Sequence, residues 1–130
     1  MREVRICDVT MKQSGRTKDI SLTFKEKLET AKLLDRLGVA VIEIEGIEQR
    51  KIDGLRIKSI ASSVKNSVLA VPVSLSPESV GLTWSALKEA AHPRLQVPAA
   101  ISPAQMEYIH HLKAPAMLTA IRCQCKLGSC

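Results

Sequence analysis

Four short apolar runs, each followed by a segment patterned like a helix, constrain this chain more than any other feature. The runs begin at Val4, Val39, Leu69 and Leu95, a spacing of about 30 residues, which matches one strand, one helix and their turns. Val39 to Ile44 reads VAVIEI and is apolar and β-branched up to Glu43, as expected of a strand covered on both faces. Val4 to Val9, Leu69 to Ser74 and Leu95 to Ile101 are the other expected strands. Pro72 and Pro98 each remove one ladder donor from them.

The intervening segments carry helix signals. Thr23-Phe24-Lys25-Glu26 fits a capping box, in which Thr23 accepts from an orphan backbone N–H and Glu26 reaches back. Phe24, Leu28, Ala31, Leu34 and Leu37 recur at spacings of three or four, along one helical face. Gly38 stands where a helix commonly ends in the left-handed conformation. Ile52, Leu55, Ile60, Ala61 and Val64 form a less regular second face. Val80, Trp84, Leu87 and Ala91 form a third, after a Ser76-Pro77 start. Ser102-Pro103 repeats that start, for a helix expected to reach Leu112, and Pro115 begins another.

Strands alternating with helices predict the α/β class and a parallel sheet with right-handed crossovers. Two architectures satisfy the pattern: an open doubly wound sheet, or consecutive units of a (β/α)₈ barrel. In both, chemistry gathers at the carboxyl ends of the strands. The polar residues placed there are Asp8, Lys12, Gln13, Glu43, Glu45, Ser74 and Ser102. A dinucleotide site needs G-x-G-x-x-G after the first strand, and this chain has only Gly15 in a basic loop from Gly15 to Ser21; no Walker-type P-loop is present either.

Glu43 interrupts an apolar strand, so its carboxylate needs a partner. Glu45, two residues on, shares its face under strict alternation. Only 2% of residues are aromatic, so the core must be aliphatic. The net charge of +6 is spread among acids, as in Lys25-Glu26-Lys27-Leu28-Glu29. That dispersal, with few stacking platforms, speaks against a nucleic-acid surface. No run approaches the roughly 20 apolar residues needed to cross a bilayer. The MREVRI start lacks a secretory apolar segment, which makes the cytoplasm the expected compartment.

Cys7, in a strand-like run, reads as a small buried apolar residue. Cys123, Cys125 and Cys130 crowd a tail, 119–130, that departs from the helical pattern and lacks the C-x₂-C pairing of a zinc site. His92 reads as a helix-end residue. His110 and His111 are neighbours on a helix and point about 100° apart, so they are not a chelate by themselves.

Asp8-Val9-Thr10-Met11-Lys12-Gln13-Ser14-Gly15-Arg16, joined to Leu37-Gly38-Val39-Ala40-Val41-Ile42-Glu43, resembles the opening of the 2-isopropylmalate synthase, homocitrate synthase and HMG-CoA lyase family. The matching family patterns are D-T-T-L-R-D-G-x-Q and L-G-V-D-x-I-E-x-G. Ser102-Pro103-Ala104-Gln105-Met106-Glu107-Tyr108 is similar to the family's serine after strand four and its helix. The resemblance implies a (β/α)₈ TIM barrel of which residues 1–118 supply about four units, the N-terminal half. It implies an acyltransferase lineage, with Claisen-type condensation of an acyl-CoA and a 2-oxo acid assisted by Mg or Mn.

Under that resemblance, Lys12 and Glu43 are the expected catalytic residues, and Asp8, Lys12, Gln13 and Ser102 the expected substrate contacts. The chain departs from the family where it matters for metal. Gln13 stands where the family has an aspartate ligand, Lys12 where it has an arginine, and the late H-x-H pair has no counterpart. A hard divalent ion prefers anionic oxygens, and Gln13 offers a neutral carbonyl. The chain is therefore expected to be incomplete or inactive as it stands. Half a barrel also exposes two sheet edges, which invites a second copy or the missing half. A non-catalytic anion-binding or assembly protein on the same scaffold is the competing reading. A phosphate-binding regulator using Arg16-Thr17-Lys18 is a third.

Overall fold

A computed structural model describes residues 2–14 and 21–127. The elements follow in order: β1 (Cys7–Asp8), α1 (Thr10–Gln13), α2 (Phe24–Leu37), β2 (Val41–Glu43), α3 (Arg50–Ser63), β3 (Val68–Pro72), α4 (Pro77–Leu87), β4 (Pro93–Gln96), α5 (Pro103–Tyr108) and α6 (Ala114–Leu127). The basic loop segment 15–20 and Cys130 lie outside the described residues.

Local signals set most helix ends. Thr23 Oγ1 accepts from the Glu26 N–H at 3.3 Å while Glu26 Oε2 accepts from the Thr23 N–H at 2.7 Å, so two orphan donors are satisfied reciprocally. Gly38 closes α2 at φ 83°, a conformation in which a Cβ would meet the following carbonyl. Ser76 and Ser102 cap α4 and α5 through the N–H groups of Ser79 and Gln105, each with proline at the first turn.

The four strands form one parallel sheet in the order β1-β2-β3-β4. Strand order thus follows chain order, with no reversal. The helices pack in the same succession, α2 on α3, α3 on α4 and α4 on α6. A doubly wound sheet reverses its order at a switch point and sends helices to both faces. Neither occurs here, and the winding is consistent with a segment of a (β/α)₈ barrel.

The core lies between this sheet and its helical layer. Ile42, Ile44, Leu69 and Val71 pack with Met11, Ala31, Ile57, Ile60, Ala61, Val64 and Leu87. Period-two alternation then puts Glu43, between buried Ile42 and Ile44, on the opposite face. One buried acid knits the layer together. Asp35 accepts from the backbone N–H groups of Lys65, Asn66 and Ser67 at 3.0, 2.9 and 2.7 Å. Burial pushes its carboxyl up, but these donors outweigh that and bring it down to about 2.

Several expectations are corrected. Of Val4 to Val9 only Cys7–Asp8 is strand, because β1 has a neighbour on one side alone; Val4 and Ile6 are exposed. The fourth strand is Pro93–Gln96 rather than 95–101. It stops before Pro98, which has no N–H to extend the ladder. Lys12 and Gln13 sit on the one-turn helix α1, just beyond the end of β1.

Leu37 is 77% exposed and does not belong to the buried face of α2, nor do Ile52 and Leu55 to that of α3. α5 ends at Tyr108, short of Leu112, and His111 has φ 52°. That positive φ takes His111 out of helical geometry. Cys7 is exposed rather than buried. The stretch from residue 119 to 127 is helical, as the later part of α6.

Candidate functional site

Three elements converge at the carboxyl end of the sheet. β2 ends at Glu43, β4 ends at Gln96, and α1 carries Lys12 back over them. Lys12 Nζ lies 2.7 Å from Glu43 Oε2 and 3.4 Å from Gln96 Oε1. Gln96 Nε2 donates to Glu43 Oε1 at 3.1 Å, and Cys7 Sγ approaches the same oxygen at 3.4 Å. The amide orientation of Gln96 follows from its partners: ammonium only donates and carboxylate only accepts. Gln96 therefore bridges both members of an ion pair.

The pair is mostly withdrawn from water, with side chains 26% and 14% exposed for Lys12 and Glu43. The Lys12 hydrogen bond is the main reason the Glu43 carboxyl is held below its usual range; burial opposes it, and Cys7 and Gln96 add to it. Although Cys7 is exposed as a residue, partial desolvation of its thiol, and then the hydrogen bond to the Glu43 carboxylate, push the thiol up. A thiol held protonated is a poor nucleophile, so Cys7 acts here as a hydrogen-bond donor.

Asp8 also reaches this rim, at the end of β1, but both its oxygens turn to Thr10. They accept from the Thr10 backbone N–H at 3.1 Å and from its hydroxyl at 3.0 Å, fixing the turn that launches α1. Gln13 is exposed and makes no side-chain hydrogen bond among the described residues. Glu45 pairs with Lys27 at 2.8 Å. Ser74 bonds within its own turn, to the Ser79 and Ser76 hydroxyls. Ser102 caps α5, accepting from the Gln105 N–H at 3.1 Å, and among the described residues no hydrogen bond joins it to the Lys12–Glu43 cluster. Beside the cluster lies an open cleft of about 510 Å³, with Lys12, Lys27, Glu45, Phe24, Ile44 and Pro72 on its wall.

The residues brought together are thus Lys12 and Glu43, with Gln96 and Cys7 added. Gln96 was missed because the fourth strand was placed too late. A polar residue two positions before Pro98, in an otherwise apolar run, was the available signal.

These residues do not fit a divalent ion. Glu43 already faces an ammonium, Asp8 is spent on Thr10, and Gln13 is a neutral, exposed amide. Among the described residues no three of His, Cys, Asp and Glu group so as to hold a metal. Nor is any described helix long and apolar enough to cross a membrane.

Comparison with known proteins gives a consistent result. The HMGL-like family model matches residues 3–126. The chain is 37% identical over 113 residues to the 2-isopropylmalate synthase of Shouchella clausii (strain KSM-K16), covering 87% of this chain and 22% of that protein. It is 34% identical over 108 residues to the 2-isopropylmalate synthase of Halalkalibacterium halodurans, covering 83% and 21%. Against that of Geobacillus sp. (strain WCH70) it is 38% identical over 109 residues, again covering 83% and 21%. The chain therefore spans about a fifth of the length of the curated relatives it matches.

Proposed function

The chain belongs to the HMGL-like family, and on that premise we propose that it supplies four β-α units of a (β/α)₈ barrel in the 2-isopropylmalate synthase lineage. Its rim cluster binds the carboxylate of a 2-oxo acid. The observation that carries this reading is the Lys12–Glu43 pair at 2.7 Å, fixed at the strand ends, with Lys12 on the wall of the cleft.

An ammonium has three donors. Glu43 and Gln96 engage two, at 2.7 and 3.4 Å, leaving one for a ligand oxygen. A lysine attracts a carboxylate as a point charge and lacks the two-pronged grip of arginine. Binding is therefore weaker and less directional than at the arginine implied by the family pattern. Gln96 holds Glu43 from the other side, so the pair keeps its place when a ligand arrives. Condensation with an acyl-CoA needs surfaces beyond this rim; a complete barrel would supply them. The donor set does not fit a divalent ion.

Calorimetry with pyruvate tests the proposal. Binding is expected with and without magnesium, lost in Lys12→Met and retained in Lys12→Arg. Binding unaffected by Lys12→Met would overturn it.

A second reading, an anion-binding scaffold without turnover, is favoured by one observation: Gln13, a neutral amide, is exposed at the position where a carboxylate ligand is implied. Release of free CoA thiol from acetyl-CoA and a 2-oxo acid decides for the catalytic lineage. Binding without release decides for the scaffold.

A further inference from the structure

Among the described residues β1 pairs with β2 alone and β4 with β3 alone. A bare strand edge offers its N–H and C=O groups to another strand, and the two edges here are complementary. Cys7 turns its thiol to Glu43, on the face away from the core. Alternation then sends Ile6, and before it Val4 and Arg2, to the helix-facing side. Val4 and Ile6 are 81% and 63% exposed. The Ile6 carbonyl already accepts from the Ala40 and Val41 N–H groups, so this segment enters the sheet beside β2.

The other edge carries the matching surface. A groove of about 360 Å³ lies between Leu95 on β4, Val97 just beyond it, Val80 and Trp84 on α4, and Gln124 on α6. Leu95 packs against the core, which places the groove on the helix-facing side of the sheet. Gln124 is 2% exposed, and its Oε1 has no hydrogen-bond partner among the described residues. This wall suits an apolar strand that brings a donor on the same side. Val4 and Ile6 are the apolar residues of such a strand, and Arg2 is its donor.

We propose that a second copy of this chain completes the barrel, β4 of each copy receiving residues 2–8 of the other as its neighbouring strand. The proposal rests on the barrel lineage given above. Each copy supplies four parallel strands, and two copies make the eight of a (β/α)₈ winding. A two-fold axis along the barrel keeps every strand parallel and every helix outside. Joining like edges would make the joint antiparallel or turn one helical layer inward. Because both joints form, the ring closes and does not extend into a filament. Both Lys12–Glu43 pairs then stand at one rim, facing each other across its mouth.

The test is sedimentation of the full chain over a range of concentrations, with Trp84, its sole tryptophan, as a fluorescent reporter. A monomer–dimer equilibrium is expected, and Trp84 emission should move to the red on dilution with the same midpoint. Val4→Lys with Ile6→Lys should weaken the dimer about a hundredfold, the scale of losing apolar anchors at an interface. Val97→Lys, on the opposite edge, should weaken it as well. Mixing the two variants should restore part of the association, since one of the two joints is then whole. Circular dichroism establishes that each variant folds.

A monomer at every concentration overturns the proposal, and so does an open polymer. Association that ignores Val97→Lys points to like edges and overturns it too. Calorimetry with pyruvate on the same samples separates this closure from the rim reading. Lys12-dependent binding by a persistent monomer overturns the closure alone. A dimer sensitive to both edges that binds no pyruvate supports the closure and overturns the rim reading.

Discussion

The Ser67 backbone N–H donates to Asp35 Oδ1 at 2.7 Å across 32 residues of chain, so the end of α2 is fastened to the turn that starts β3. With the N–H groups of Lys65 and Asn66 on the same carboxylate, Asp35 closes a turn that would otherwise bury unpaired donors. Asp35→Asn should cost roughly 2 kcal/mol, the scale of weakening a charge-assisted network and stranding one donor. Urea denaturation at neutral pH measures it.

The same contact fixes an acid dependence. The folded Asp35 carboxyl lies at about 2, below its ordinary 3.8. Its contribution is complete above the unfolded value and is lost as pH falls through about 2. Denaturation midpoints taken between pH 5 and pH 2 should fall more steeply in the parent chain than in Asp35→Asn. Parallel curves would refute the assignment.

Lys12 and Glu43 should be energetically coupled. A cycle of Lys12→Met, Glu43→Gln and the double variant is expected to give about 1 kcal/mol of coupling at neutral pH. Because the folded Glu43 carboxyl is lowered, the coupling is present above the ordinary glutamate range. It disappears as pH drops through the lowered value. Additive single variants at pH 7 would show that the pair is solvated in effect.

Core truncation should be costly where the sheet meets its helices. Leu69 is fully buried in β3, and Leu69→Ala is expected to lose about 2–5 kcal/mol. Leu37→Ala, on the exposed end of α2, should stay within about 0.5 kcal/mol. Thermal or chemical unfolding of the two variants side by side checks the contrast.

The helix cap offers a smaller, local readout. Thr23→Ala removes the hydroxyl that accepts from the Glu26 N–H and should cost about 1 kcal/mol. Thr23→Ser should recover most of it.

What could be read in the sequence was local. Thr23 with Glu26, Gly38, Ser76-Pro77 and Ser102-Pro103 announced their ends of helices because each involves residues a few positions apart. Lys12 and Glu43 were legible as polar residues at strand ends, and Glu43 also because a carboxylate inside an apolar strand demands a partner. Gln96 was not, since its place depends on which residues of β4 register with Pro72 and its neighbours.

Asp35 does not stand out among the charged residues of its helix. Its position four after Ala31, on the buried face, was the signal that could have singled it out. Helix α1 spans too few residues for periodicity to reveal, and Cys7 was taken for core because a lone edge strand resembles a buried one in composition.

A sheet whose spatial sequence repeats its chemical sequence also has a direction of wear. Each β-α unit leans on its neighbours, and among the described residues β2 and β3 are the strands with companions on both sides. Opening should therefore begin at the flanks and move inward, as sub-global unfolding does elsewhere. Deuterium should enter the amides of β1 and β4 first and those of β3 last, leaving the central strands as the last ordered part of the molecule.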